Sequence, residues 1–213
     1  MALSSLSFAA LPETATIKRF AGERITGLSA EGVFNIVIRQ GYFTGLSVEV
    51  PDDKKDLLTA KLCDDGIVRI EYKPEGNNLR NRLSAKVILT CTTIEELHVR
   101  GVCSVLLEDI IDIHNLDIDM QGVSKIENNG RLIVGTNLNL KAEGICRVWL
   151  GGIIADRVDL NVTGISKAEL EGFVSTVKTD VSGISRARLS RLKADDATTS
   201  TSGMGRVFAA SSR

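Results

Sequence analysis

The sequence predicts an all-β chain wound as a single-stranded, right-handed parallel β-helix with rungs of about 20 residues and additional strands or hairpins at its N-terminal end. Three observations carry that expectation. A short phrase returns at a nearly constant interval, apolar residues alternate with period two before each return, and a third apolar patch completes each interval.

The phrase begins at a glycine. Gly101-Val-Cys-Ser-Val-Leu-Leu107 is followed by Gly122-Val-Ser-Lys-Ile-Glu-Asn128 and Gly144-Ile-Cys-Arg-Val-Trp-Leu150, then by Gly164-Ile-Ser-Lys-Ala-Glu-Leu170, Gly183-Ile-Ser-Arg-Ala-Arg-Leu189 and Gly203-Met-Gly-Arg-Val-Phe-Ala209. The glycines Gly101, Gly122, Gly144, Gly164, Gly183 and Gly203 stand 21, 22, 20, 19 and 20 residues apart, a solenoid period. A repeated glycine in this setting marks a corner that needs positive φ or excludes a Cβ, rather than a phosphate cradle. Positions one, four and six after it are apolar in nearly every copy and are read as inward. The second and third are polar and are read as the corner itself. Ser124, Ser166 and Ser185, with Cys103 and Cys146 at the same phase, form a corner ladder.

Before the glycine, Leu116, Ile118 and Met120, then Leu138, Leu140 and Ala142, then Val158, Leu160 and Val162 alternate as strands with one buried face do. Helical spacing fits none of them. Ile110-Ile111, Ile153-Ile154 and Phe173-Val174 supply the third strand of each circuit. Successive rungs would hydrogen-bond about 4.8 Å apart, and parallel crossovers favour a right-handed coil. A leucine-rich repeat has a similar period, but its L-x-x-L-x-L-x-x-N phrase and helical return are missing. The last copy weakens to Ala197, Thr199 and Thr201 at the inward phase, as a capping rung would.

The first hundred residues lack the strict period yet read as β: Gly32 to Ile38, Leu46 to Val50, Ile67 to Tyr72 and Ala85 to Thr90. Turns separate them at Pro51 to Asp53, Asp64 to Gly66 and Pro74 to Asn78. The expected organisation is a terminal segment over 1–20 and one domain over 21–213, irregular over 21–100 and regular over 101–213. Met1 to Ala10 is small and apolar like the tail of a secretory signal but carries no basic residue before Lys18; it reads either as a truncated leader or as a frayed terminus.

Composition excludes several classes. The 26 Lys and Arg against 27 Asp and Glu give a net charge of -1, which leaves no bulk electrostatic footprint for nucleic acid. No apolar run approaches the length of a transmembrane segment. Cys63, Cys91, Cys103 and Cys146 show no zinc-like spacing with His98 or His114, so neither a metal nor a cofactor is expected. Cys103 and Cys146 lie two rungs apart, beyond disulfide reach, and are expected to be free thiols. A Cys103 nucleophile served by His98 is the one nucleophilic pairing the sequence offers, against a small buried thiol.

From Glu23 to Gly41, through Ala85 to Thr90, to the glycine repeats, the chain resembles the putative auto-transporter adhesin, head GIN domain proteins, common in Bacteroides-like and other Gram-negative bacteria. That family opens with a "gF..I...g.f.v.i.qg" phrase and repeats "l.l..sGsgdv.l.G". Here Ser or Cys and Lys or Arg replace the small-acidic pair after the repeat glycine, which removes an acidic face. The resemblance implies a right-handed β-helix and export to the periplasm or cell surface, with no catalytic residue to carry over.

The third position after each glycine carries Lys125, Arg147, Lys167, Arg186 and Arg206, with Ser104 in the first copy. Stacked rungs would align these cations in one column, which must be neutralised. Two residues on, and on the same side, stand Glu127, Trp149, Glu169, Arg188 and Phe208. Two readings follow: a self-screened solvent face, or a shallow strip for an extended anion such as an acidic glycan or lipopolysaccharide phosphate. In the second, Arg186 and Arg188 are the least compensated pair and Trp149 is a stacking platform. A polysaccharide-active enzyme would need loop insertions and paired carboxylates, whereas the short rungs leave no room and Asp117, Asp119 and Asp159 alternate with inward residues. The expected function is therefore a non-enzymatic envelope or surface binding module for a glycan or an envelope protein. The alternative is a structural unit forming homo-oligomers through a solenoid end.

Overall fold

The computed structural model describes residues 14–72 and 85–212. The expected leader at Met1 to Ala10 and the turn at Pro74 to Asn78 lie outside the described residues. Among the described residues the chain is all-β, with one short 3-10 turn at Asp52–Leu57, and its strands join in one long, mostly parallel, unclosed sheet.

The N-terminal part supplies the antiparallel pairings. Strands β1 (Thr14–Arg19), β2 (Gly27–Gln40), β3 (Gly45–Pro51), β4 (Leu58–Leu62), β5 (Ile67–Tyr72) and β6 (Ala85–Cys91) precede the repeats. Thr14–Arg19, inside the segment expected to be terminal, pairs antiparallel with β3, and β3 pairs antiparallel with β6. β4 and β5 form a hairpin closed at Asp64 to Gly66, where Asp65 Oδ1 accepts from the Ile67 N–H at 2.9 Å.

The repeats make the parallel part. β7 (Glu96–Gly144), β8 (Arg147–Gly164), β9 (Lys167–Val181), β10 (Arg186–Thr201), β11 (Arg206–Phe208) and β12 (Ser211–Ser212) follow in order. β7 pairs with β8, β8 with β9, β9 with β10, and β10 with both β11 and β12, all parallel. β7 also meets itself one repeat on, the Ser124 Oγ donating to Gly101 O at 3.5 Å. β2 belongs to the same series. It lies parallel to β7 with Gly32 beside Gly101, Phe34 beside Cys103 and Ile36 beside Val105. Gly32 to Ile38 is thus a further copy of the phrase, separated from the next by β3 to β6, of which β5 and β6 lie parallel to β2.

The repeat glycines sit on one another. Gly144 has φ +107 and a Cβ there would lie 2.5 Å from Gly122 O; at Gly122, with φ +99, it would lie 2.5 Å from Gly101 O. Both the left-handed backbone and the close approach require glycine. The core is built of inward columns such as Leu138, Val158 and Val177, all buried, and Ile126, Val148, Ala168 and Ala187.

The corner differs from expectation. Position one after the glycine points outward and position two inward: Ile145, Ile165 and Ile184 are exposed, whereas Cys146, Ser166 and Ser185 are buried. Strand parity continues through the corner, so residues at even spacing from the inward strand positions stay inside whatever their polarity. The inward hydroxyls and thiols are satisfied by backbone. Ser166 Oγ donates to Gly144 O at 3.0 Å and accepts from the Cys146 N–H at 3.0 Å; Ser185 Oγ donates to Gly164 O at 3.0 Å and accepts from the Ser166 N–H at 3.2 Å.

Candidate functional site

Parity that buries position two exposes positions one, three and five on the outside of every rung. The parallel register then stacks like on like: Lys125 beside Arg147, Arg147 beside Lys167, Lys167 beside Arg186 and Arg186 beside Arg206. The second column follows the same register, running Glu127, Trp149, Glu169, Arg188 and Phe208. These seven basic and aromatic candidates, Lys125, Arg147, Trp149, Lys167, Arg186, Arg188 and Arg206, therefore lie on one face.

Compensation within that face is uneven. Lys125 pairs with Glu127 at 2.6 Å and Lys167 with Glu169 at 3.5 Å. Glu169 also takes Arg188 at 3.6 Å and Arg191 at 2.9 Å, and the hydrogen bond from Arg191 leads the interactions that hold its carboxyl below the ordinary range. Arg188 is thus compensated, contrary to the expectation that Arg186 and Arg188 form the least compensated pair. The cations that face no carboxylate among the described residues are Arg147, Arg186 and Arg206, because their rungs carry Trp149, Arg188 and Phe208 where others carry glutamate. Arg186 and Arg188 both stand over the Phe208 ring, at 5.9 and 5.8 Å from its centroid. Trp149 is 46% exposed, with its ring available.

Beside the cations runs a column that sequence reasoning assigned to the core. Val123, Ile145, Ile165, Ile184 and Met204 are 50 to 66% exposed and form the second wall of a shallow groove of about 680 Å³. The floor between the walls is the ladder of buried Ser and Cys side chains. In the sequence these residues lie at odd spacing from the inward strand positions, and that spacing places them outward because the strand runs through the corner without a change of parity.

The remaining candidates do not assemble a reactive centre. Cys103 Sγ faces Gly32 O at 3.8 Å and Arg100 O at 3.9 Å, and burial pushes its thiol up to about 11. His98 lies at the opposite parity and meets Glu96 at 3.1 Å. Asp117 accepts from Asn139 Nδ2 at 2.6 Å, Asp159 binds Arg157 at 2.7 and 2.9 Å, and Asp119 lines a separate depression with His98 and Arg100. Among the described residues no group of three His, Cys, Asp or Glu side chains is placed to hold a metal ion, and no helix is long and apolar enough to cross a membrane.

Solved structures share this fold at low identity. A putative adhesin from Bacteroides fragilis superposes with a TM-score of 0.64 at 19% identity, covering 92% of this chain and 96% of its own. A putative adhesin from Parabacteroides distasonis gives 0.70 at 12% identity, with 92% and 81% covered. A protein from the same organism described as a putative lipid binding protein gives 0.57 at 16%, with 92% and 97% covered. No curated protein matches the chain in sequence. The profile of one family spans nearly the whole described sheet, from Ile25 at the entry to β2 to Ser212 in β12, and on that match over residues 25–212 the chain belongs to the putative auto-transporter adhesin, head GIN domain family.

Proposed function

We propose that this chain is a non-enzymatic, exported adhesion-like module of the envelope or cell surface, with one β-helical domain whose cation column binds an extended anion, an acidic glycan or lipopolysaccharide phosphate. The single observation that carries the reading is the in-register stack of Lys125, Arg147, Lys167, Arg186 and Arg206, in which three arginines face no carboxylate among the described residues. Like charges about 4.8 Å apart repel, and a linear anion laid along them relieves that repulsion while accepting bidentate guanidinium bonds. The coil supports the same reading, because a parallel strand that pairs with its own sequence one repeat later winds around an axis, and the crossover rule makes the winding right-handed. The adhesin descriptions of the structural neighbours, and the lipid-binding description of one, accord with a binding role.

The test is retention on an acidic glycan array at low and physiological salt. The wild-type chain is expected to bind at low salt and weaken as salt screens the column, while Arg147→Ser/Arg186→Ser/Arg206→Ser loses retention. Retention by the triple variant equal to wild type at low salt would sink the proposal.

A further inference from the structure

Anion binding leaves one wall of the groove without a task. The cation column suffices for an anion laid along it, yet a second column, aliphatic in every rung, runs beside it with side chains 50 to 66% exposed. Its parity is outward, and Ile145, Ile165 and Ile184 stand apart from the buried residues that build the core. Across the face the order is an aliphatic column, the cation column, and then a column that carries Trp149 and Phe208 among charged residues. Apolar side chains therefore flank the cations on both sides, and an exposed patch of that kind marks a binding surface.

What the groove leaves available selects its occupant. Ile145, Ile165, Ile184 and Met204 each donate the backbone N–H to the glycine carbonyl of the rung before, at 2.8 to 2.9 Å. A peptide strand pairs with free amides and carbonyls, and these are taken up within the stack. On the floor, the Ser166 and Ser185 hydroxyls both donate to and accept from backbone, so a sugar ring seated between the walls would meet hydrogen-bonding groups already satisfied. The exposed aliphatic and cationic side chains remain. Along the stack they read Val, Ile, Ile, Ile, Met beside Lys, Arg, Lys, Arg, Arg, so character is kept while shape is not.

A lipid surface offers both chemistries and has no fixed shape to match. Its phosphates lie at the level that long cationic side chains reach, and acyl carbon lies just beneath, where aliphatic groups and a Trp ring are favoured. Charge complementarity acts in the same direction. The chain carries a net charge of -1, so gathering five stacked cations on a face with Glu127 and Glu169 leaves the remainder acidic, and an anionic bilayer turns this face toward itself.

We infer that the groove face docks on an anionic lipid bilayer, its cation column on the headgroup phosphates and its aliphatic column, with Trp149, in the interface below them. This rests on the anion-binding reading above and names the source of the anion. The cations supply the preference for an anionic over a neutral bilayer, and the aliphatic wall supplies the preference for a bilayer over a soluble anion.

Trp149 is the one tryptophan of the chain, so its fluorescence reports this face alone. At low salt, phosphatidylcholine vesicles containing phosphatidylglycerol are expected to sediment the full chain and to move Trp149 emission to shorter wavelength. Pure phosphatidylcholine vesicles and soluble glycerol phosphate should do neither. Ile145→Ser/Ile165→Ser/Ile184→Ser alters only exposed positions and is expected to lower vesicle partitioning about tenfold with an unchanged melting curve. Quenching of Trp149 by brominated acyl chains reads insertion on the wild-type chain whether or not that variant folds. Vesicle binding with Trp149 neither shifted nor quenched would overturn the inference while leaving the anion-binding reading in place. Retention on acidic glycans without binding to phosphatidylglycerol vesicles would do the same, and absence of both would remove both. A wild-type dimer in lipid-free sedimentation that the isoleucine variant disperses would put a second copy on the aliphatic wall, and would also overturn the inference.

Discussion

Glu169 sets how much of the basic face is free. Its carboxylate serves Lys167, Arg188 and Arg191 together, and it also sits beside the rung of Trp149. Arg191 first, then Arg188 and Lys167, hold its carboxyl below the usual carboxylate range. A lowered folded pKa means a contribution to stability fully present above the unfolded value and lost as pH falls through the folded one. Glu169→Gln should therefore lower the melting temperature slightly at neutral pH and flatten its fall in acid. The same change releases cations, so retention on acidic glycans at low salt should rise. Unaltered or reduced retention would show that the face is not limited by its own carboxylates. Surface ion pairs of this kind are individually weak, which is why binding is the more sensitive readout.

The corner is the element on which the repeat depends, and its polar interior is satisfied by a ladder that runs between rungs. Ser166 Oγ stands 3.0 Å from Gly144 O, 3.1 Å from Thr163 O and 3.0 Å from the Cys146 nitrogen. Ser166→Ala leaves the buried Cys146 N–H without that acceptor and should cost about 1–3 kcal/mol in denaturant unfolding. A neutral outcome would mean that the corner carbonyls and amides are satisfied by other means. The thiols occupy the same place in other rungs: Cys146 Sγ faces Gly122 O at 3.8 Å and Glu143 O at 3.3 Å. Cysteine and serine thus share one ladder because both fit a small inward space lined by carbonyls. The sequence showed that these residues share a phase; it did not show that the phase is inward.

At the scale of the whole molecule, the two ends of the parallel stack are unlike. Toward β2 the stack is covered by the N-terminal strands, β6 and β5 both pairing with β2. At the other end, among the described residues, β11 and β12 pair only with Arg186 to Arg188 and with Lys193 and Ala194, while Asp196 to Thr201 pairs with β9 alone. Ala197, Thr199 and Thr201 hold the inward register beside Val177, Thr179 and Val181, yet all three are exposed. An open parallel edge of this kind favours association unless charged. Thr199→Lys should therefore disperse any edge-paired species in sedimentation velocity and leave glycan retention at the wild-type level. Retention lost together with the oligomer would make end-to-end packing, rather than the groove, the basis of function.

The sequence by itself determined the period, the strand phase and the family. A positive-φ glycine every 19 to 22 residues and strict alternation before it are local requirements of backbone and burial, and they are written in residue types. It also aligned Lys125 to Arg206, because equal spacing from a repeated glycine survives stacking. Tertiary structure decided three further things. Gly32 joins the glycine stack only because β2 lies beside β7 across the intervening strands β3 to β6, a contact no period reveals. Arg188 is compensated and Arg147 is not, since Glu169 on the neighbouring strand reaches Arg188, whereas Trp149 stands beside Arg147 where other copies carry glutamate. Ile145, Ile165 and Ile184 face outward because parity, fixed by the path of the backbone through the corner, overrides the apolar character of the side chain.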